Sequence, residues 1–329
     1  MTILAAYGDV VKTVKALLGK WGFSGHDIDV IADVLVSADM AGIDSHGIQR
    51  LSMYENIIAS GIVQVKNRPS AERETPVTAV VDGNRAMGQT TACFSVGLAI
   101  QKAEKNGIGA VAVKNSNHFG IAGWYAKRAS GRGFMGLVMT NSRAVMPATF
   151  GAVPLIGSNP VAFAFPNRPH DFLYDASSTV VSFGKIEVKA REGNALPAHW
   201  GLNERGEPTV NPAEVLENFP NRKIAGIFPL GGPGEENGGH KGYGQGLIVE
   251  ILTGILSGGL MSDGISEGKR DGASHFFLVM NPEAFGDLGE MQKRLNAYFE
   301  KLRTSNLLDP ERKIYIHGEK EIEKERRCR

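Results

Sequence analysis

The length of the apolar runs after residue 72 bears hardest on what this chain can fold into. VTAVVDGN (77–84), GAVAVK (109–114), MGLVMT (135–140), VAFAFP (161–166), HFFLVM (275–280) and KIYIH (313–317) are each strand-length and bounded by turn residues. Helical patterns fall between some of them but not others. One of small residues spans 90–106 and stops at Gly107; others cover IAGWYAKRAS (121–130), 243–257 and about 282–302. Steady strand–helix alternation, the mark of a doubly wound parallel sheet, is missing, so the pattern predicts an α/β fold with a mixed sheet. Upstream, Tyr7, Val10, Val14, Leu17 and Trp21 recur at helix spacing, as do Ile28, Ile31, Val34 and Leu35, beginning at Ser24 or His26. Ile48, Leu51, Tyr54, Ile57 and Ile58 give a third helix ending at Gly61. Three short amphipathic helices predict a helical subdomain over 1–72, joined by about 282–329, beside an α/β region over 73–281. NRPSAERETP (67–76) reads as the linker, and GEKEIEKERRCR (318–329) as a charged tail, either helix or disorder.

Composition removes several function classes. A hydrophobic content of 42% and a formal net charge of +1 suit an ordinary soluble globular protein and offer no electrostatic footprint for nucleic acid or an anionic membrane. Two cysteines, Cys93 and Cys328, cannot build a disulfide framework and fit a reducing cytoplasm. The N-terminal segment has no basic leader. The most apolar run, GLIVEILTGILSGGL, is broken by Glu250 and falls short of the ~18 residues of a membrane helix.

GRGFMG (131–136) has the glycine spacing of a dinucleotide fingerprint, but helix precedes it and strand follows, the reverse of what that motif needs. Gly131 and Gly133 therefore read as a helix stop and a turn. Four other loops carry more polar residues than their strands require. In GIDSHGIQR, Asp44 or Ser45 is expected to cap the third helix, with His46 in its first turn and Arg50 one turn later. Imidazole exchanges protons near neutrality and guanidinium clamps a carboxylate; a capped helix with a solvated histidine and arginine is the other reading. KNSNHFGIAGWY leaves a strand and enters a helix whose first turn is Gly120, Ile121 and Ala122, an anion cradle or a capped helix with a satisfied histidine. GSNPVAFAFP and YDASSTVVSFGK place Ser158, Asn159, Asp175, Ser177 and Ser178 in turns that either bind ligand or only turn the chain. GGHKGYGQGLIVEIL sets Lys241 among glycines before an apolar helix, without P-loop order. Neither H-E-x-x-H nor G-x-S-x-G occurs, which counts against a zinc hydrolase and a serine hydrolase.

Taken together, DSHGIQR, NSNHFGIAGWYA, GSNPVAFAFP, DASSTVVSFGKI and GGHKGYGQGLIVEILTGILSGG resemble, in order and spacing, the malate/L-lactate dehydrogenase family. That family is distinct from the Rossmann lactate and malate dehydrogenases and includes ureidoglycolate, sulfolactate and diketogulonate oxidoreductases and a cyclic-imine reductase. The resemblance runs from the N-terminal helices to IYIHGE. It implies a non-Rossmann nicotinamide-binding domain at about 120–245, a largely antiparallel sheet, and a cytoplasmic homodimer acting on a small 2-keto or 2-hydroxy acid with NAD or NADP. By the same resemblance His46 is the proton donor to the carbonyl oxygen, as an imidazolium, Ser45 its polar partner and Arg50 the carboxylate clamp. His118, Phe119, Gly120, Ile121 and Ala122 fall on the cofactor or substrate, and Ser158 on the substrate. Asp175, Ala176, Ser177 and Ser178, with Lys241 and the His317–Gly318–Glu319 run, fall on the dinucleotide. This chain departs from its relatives in a longer loop, LGGPGEENGGHKG (230–242), and in Arg143, where an acidic or neutral residue is often found. Arg143 is thereby a candidate for the second carboxylate of a dicarboxylic substrate. Competing expectations are a cyclic-imine reductase on the same scaffold, a catalytically silent nicotinamide-binding protein, and a metal-dependent hydrolase or lyase using Asp44, His46, His118 and His240.

Overall fold

The computed structural model describes residues 5–218, 225–265 and 272–328; the first four residues of the N-terminal segment and the last residue of the charged tail lie outside this set. The chain opens with α1 (Tyr7–Lys20), α2 (His26–Met40) and α3 (Leu51–Ala59), followed by β1 (Ser70–Glu74), β2 (Thr78–Asp82) and α4 (Gly88–Asn106). Next come β3 (Ile108–Ser116), α5 (Ala122–Ser130), β4 (Met135–Thr140), the short β5 (Met146–Pro147) and β6 (Pro154–Ile156), β7 (Val161–Phe165) and β8 (Phe172–Ala176). A lobe of α6 (Phe183–Arg191), β9 (Gly201–Leu202), β10 (Pro208–Thr209), α7 (Pro212–Asn218) and β11 (Gly226–Ile227) precedes α8 (Gly239–Glu250). β12 (Ala273–Met280), α9 (Leu288–Arg303) and α10 (Glu319–Cys328) complete it.

The main sheet has the order β1-β2-β3-β12-β4-β7-β8, and only the β2–β3 pair is parallel. It is a mixed, largely antiparallel sheet, as expected. β12 arrives late in the chain yet sits centrally, antiparallel to both β3 and β4. Cover on both faces explains why HFFLVM is a continuous apolar run rather than an alternating one. On one face α2, α4 and α5 bury Val34, Val96, Tyr125 and Ala126 against Val111, Val113, Val138 and Phe277. On the other, α8 brings Val249 onto Ala112, Met139 and Phe276. α1–α3 close around their own cluster of Leu18, Ile31, Leu35 and Tyr54.

Several expectations are corrected. The polar SAERE stretch read as linker is the edge strand β1, held by pairing with β2 rather than by an apolar face. KIYIH is not a strand: it meets the sheet at one point, where Leu173 N–H of β8 donates to the His317 carbonyl, while Ile316 N–H donates to the Glu319 side chain rather than to a ladder. α8 ends at Glu250 and passes into a π-helical turn, Ile251–Ile255. The tail is helix α10. GRGFMG behaves as the reversed order requires, with α5 stopping at Gly131, Gly133 turning at φ 84° and β4 beginning at Met135.

Candidate active site

Ser45 and His46 do not begin α3. They lie in a separate 3-10 turn, Asp44–His46, and Arg50 ends a second, Ile48–Arg50, with Gly47 extended between them at φ −87° and ψ −151°. Neither Asp44 nor Ser45 caps a helix. The capping function falls to Asp39 of α2, whose Oδ2 accepts from Ile48 N at 2.9 Å, and a Cβ on Gly47 would run into that carboxylate. Ser45 Oγ is instead 2.8 Å from His46 Nδ1, and Ser45 carbonyl accepts from Arg50 Nε at 2.6 Å. Arg50 Nη2 also reaches Glu187 Oε2 at 3.3 Å, which brings α6 onto this turn. Gly184 of α6 packs there so closely that a Cβ would stand 2.8 Å from both Arg50 Nη2 and Ser45 Cβ.

His118 arrives from the end of β3 and stacks on His46, ring centroids 5.5 Å apart and 25° from parallel. Its Nδ1 lies 2.8 Å from Tyr54 Oη on α3. The loop after it is held firmly. Phe119 stacks at 4.5 Å on His275, whose ring nitrogens bond Thr140 and Ser116 hydroxyls at 2.7 Å each. Gly120 takes φ 87° where Val34 occupies the space a side chain would need, so only glycine serves. Burial, and secondarily the Arg50 charge, hold His46 down at about 4. Burial, then the charges of His46 and Arg50, push His118 well below the ordinary imidazole range. Both rings are therefore neutral at pH 7, a correction to the imidazolium expected at His46. The cost of charging a desolvated imidazole beside a guanidinium is the reason.

From His118 the chain runs through Ile121 into a cleft of about 860 Å³. Ile121, Lys127 and Arg128 of the α5 region line one side and His317, Gly318 and Lys320 another, with Asp175 between. Asp175, at the end of β8, accepts from Gly123 N at 2.7 Å and occupies the space a Cβ on Gly123 would need. Its residue is exposed on the cleft wall, yet protein packed around the carboxyl desolvates it. That desolvation, outweighing the Gly123 hydrogen bond, raises it to about 6. Asn167 lines the same cleft with its buried Oδ1 unpartnered.

The expected residues thus divide. Ser45, His46, Arg50 and His118 converge; Ile121, Asp175, His317 and Gly318 share the cleft. Phe119, Gly120 and Ala122 carry the chain between them, Ala122 buried at the start of α5. Ala176 follows Asp175 in β8. Ser158 meets Ser142, the hydroxyls 3.2 Å apart, and Arg143 follows with its guanidinium 4.6 Å from the centre of the Phe183 ring, next to Gly184. Ser177 and Ser178 hydroxyls are committed to Thr179 and Asn159 carbonyls, Ser178 being fully buried. Glu319 starts α10 and pairs with Arg303 at 2.6 Å. Lys241 is exposed in the first turn of α8, outside the cleft. Sequence reasoning missed Gln89, Glu187, Gly184 and the polar end of Tyr54; a tyrosine on the buried stripe of a short helix was the one available signal. No three histidine, cysteine or acidic side chains converge as metal ligands among the described residues. The set Asp44, His46, His118 and His240 is thus not assembled.

Comparison with known proteins agrees with this geometry. The family model described as malate/L-lactate dehydrogenase matches residues 6–329. The chain is 42% identical over 309 residues to a malate dehydrogenase of Pyrococcus abyssi, covering 93% of this chain and 84% of the relative. It is 32% identical to an L-sulfolactate dehydrogenase of Methanocaldococcus jannaschii, over 89% and 82% of the two. The crystal structure of malate dehydrogenase from Entamoeba histolytica superposes with a TM-score of 0.97 at 36% identity, covering all of this chain and 92% of that one.

Proposed function

The chain belongs to the malate/L-lactate dehydrogenase family, and on that premise we propose that it interconverts a small 2-hydroxy acid and its 2-keto acid with a nicotinamide dinucleotide, NAD or NADP. One observation carries the reading. Two neutral imidazoles, each held at Nδ1 by a hydroxyl, lie beside a half-buried guanidinium at one end of a loop whose other end enters a large cleft.

The residues present fit the dinucleotide. The cleft volume suits a large ligand. Lys127, Arg128 and Lys320 offer cations for a pyrophosphate, and the orphaned Asn167 Oδ1 offers an acceptor. Gly123 lies five positions after His118, a reach of on the order of 15 Å when extended, enough to join a redox end to a phosphate end. Ile121, Ala122, Asp175, His317 and Gly318 would hold it. When bound, the nicotinamide supplies or accepts the hydride.

The chain's own residues handle the remaining charge. Arg50, already oriented by Ser45 carbonyl and Glu187, takes the substrate carboxylate through two parallel hydrogen bonds and turns one face of C2 toward the cleft. His46, neutral at pH 7, is a base as it stands; it accepts the hydroxyl proton at Nε2 during oxidation, while Ser45 fixes the ring through Nδ1. In the reverse direction the same nitrogen returns that proton to the carbonyl oxygen. A substrate carboxylate on Arg50 offsets the cationic charge that disfavours protonated His46, so binding prepares the acid. Ser158 and Arg143 are assigned to the far end of the substrate, reached through Phe183.

We further read the protein as a cytoplasmic homodimer. Ile248, Ile251, Ile255 and Leu256 form an exposed apolar stripe along α8 and its π-helical extension, with Ile248 54% and Ile255 61% exposed. An unpaired apolar face of that kind marks a protein interface. Cys93 and Cys328 are both free. No described helix is long and apolar enough to cross a membrane.

The test is a panel of oxaloacetate, pyruvate, sulfopyruvate and cyclic imines, each with NADH and NADPH, followed at the nicotinamide absorbance. Keto-acid reduction is expected. Reduction of cyclic imines alone would move the assignment to an imine reductase. Nicotinamide binding without any turnover would leave only a binding protein.

A further inference from the structure

His118 is tied to more than His46. Its Nδ1 lies 2.8 Å from Tyr54 Oη, and the same oxygen lies 2.7 Å from Gln89 Nε2. Both Tyr54 and Gln89 are completely buried. A tyrosine hydroxyl has one proton. The Gln89 amide donates to the Tyr54 oxygen, so the phenolic proton is left for His118 Nδ1. Turning the Gln89 amide over would reverse the polarity, but it would bury an NH₂ group away from this acceptor. As it stands, the NH₂ group has an acceptor in Tyr54 Oη and the carbonyl oxygen Oε1 has no partner. Orphaned N–H groups are the rarer and costlier defect, so the observed orientation holds. With Nδ1 accepting, a neutral His118 carries its proton on Nε2, and no described residue hydrogen-bonds to that nitrogen.

We propose that Gln89 and Tyr54 are positioning residues that lock His118 as a neutral Nε2–H donor to the substrate oxygen on which charge develops, leaving proton transfer to His46 alone. The donor role rests on the 2-hydroxy-acid reading above. The division of labour follows from how each ring is anchored. His46 Nδ1 meets the Ser45 hydroxyl, which accepts from Nδ1–H in the neutral and the protonated ring alike, so Nε2 is left free to take up and release the proton. His118 Nδ1 meets a hydroxyl whose direction is set by a buried amide. Burial also pushes the Tyr54 hydroxyl well above its ordinary range, so the Gln89–Tyr54–His118 chain is no exit for a proton. It is a brace that keeps a donor pointed one way, and such a donor needs no rearrangement as the oxyanion forms.

Two measurements on the full-length protein separate this from a purely structural role. Nitrogen-15 NMR of histidine-labelled protein, assigned with His118→Gln, is expected to show His118 protonated on Nε2, and Tyr54→Phe should convert it to a tautomer mixture. Finding the wild-type proton on Nδ1 overturns the proposal whatever the enzyme turns over. With the acid identified by the panel, Tyr54→Phe and Gln89→Leu should each lower kcat by roughly 10- to 100-fold, at or below the ~10²–10³-fold cost of losing an oxyanion donor outright, because the donor is misdirected and not removed. Cofactor affinity should stay near wild type, while Tyr54→Phe, which leaves the buried Gln89 N–H without its acceptor, should lower Tm modestly. His118→Gln keeps an amide donor near this position, so adding Tyr54→Phe to it should change kcat less than about twofold. A full Tyr54→Phe loss in that background would refute action through His118. Absence of turnover on every acid removes the functional reading and with it the donor role, while the NMR result still decides the tautomer.

Discussion

Substituting Gly184 by alanine should cost activity far more than stability. Gly184 is buried at the second position of α6, with ordinary helical neighbours and no positive φ, so alanine is conformationally acceptable there. Replacing a helical glycine by alanine gains up to about 1 kcal/mol, less near a helix end. The new methyl, however, would stand 2.8 Å from Arg50 Nη2 and 2.8 Å from Ser45 Cβ, where ordinary contact begins at 3.4 Å. Something must retreat by at least about 0.6 Å. Ser45 cannot, because it is buried, its carbonyl holds Arg50 Nε at 2.6 Å and its hydroxyl holds His46. The guanidinium, at the end of a flexible side chain, gives way, and the contact with Ser45 Cβ is relieved by a shift of the first turn of α6, which offsets the helical gain. A misplacement approaching 1 Å in a clamp costs up to about 10²-fold, so kcat/KM should fall tenfold to a hundredfold. Most of the change should lie in KM if Arg50 binds substrate and transition state equally. Steady-state kinetics beside thermal melts would show it, with Tm unchanged or slightly lowered. Wild-type kcat/KM at wild-type Tm would mean that Arg50 does not hold the substrate; a large drop in Tm would mean that Gly184 serves the fold instead.

Acid should destabilise the protein earlier than its carboxylates suggest. His46 at about 4, His275 at about 3 and His118, held well below its ordinary range, refuse protons that the unfolded chain accepts below about 6.5, so their contribution is full above that pH and drains away as pH falls toward 4. Asp175, raised to about 6, works the other way and takes its proton in the folded state first, cancelling about one of the three. A net difference near two protons implies about 2.7 kcal/mol lost per pH unit around pH 5; denaturant titrations giving flat stability from pH 6.5 to 5 would contradict it. Arg143→Ala should cost about 2–5 kcal/mol in kcat/KM with oxaloacetate and little with pyruvate, as expected for unpairing a second carboxylate; equal losses on both would assign Arg143 to the cofactor or the fold. Ile251→Glu with Ile255→Glu should turn a dimer into a monomer by light scattering after gel filtration, and a double variant that stays dimeric places the interface elsewhere.

What the sequence revealed, and what it hid, follows from how local each feature is. α2, α4, β3, β4, β7 and β12 announce themselves because each buries a face whose period is visible within a dozen residues. β1 is invisible by that criterion: SAERE is exposed almost throughout and is a strand only because β2 lies beside it. KIYIH misleads in the opposite way, its alternating apolar residues pinning a loop. The lobe from α6 to β11 escapes because its strands are two residues long. In the site, Ser45, His46, Arg50 and His118 were legible through motif resemblance. Their partners were not, since Tyr54 and His118 are 64 residues apart and Arg50 and Glu187 are 137 apart. The neutral state of His46 was equally hidden, because desolvation belongs to the packed structure and not to the motif.

The most direct test of the central claim, that His46 moves the substrate proton, is His46→Ala assayed for turnover and for nicotinamide binding in the same preparation. The account predicts that kcat falls by about 10²–10⁴-fold, the usual span for losing an acid–base group, while NADH or NADPH binding measured by fluorescence stays within about twofold. Retained kcat with lost cofactor binding would contradict it, and would move His46 from the reacting oxygen to the dinucleotide.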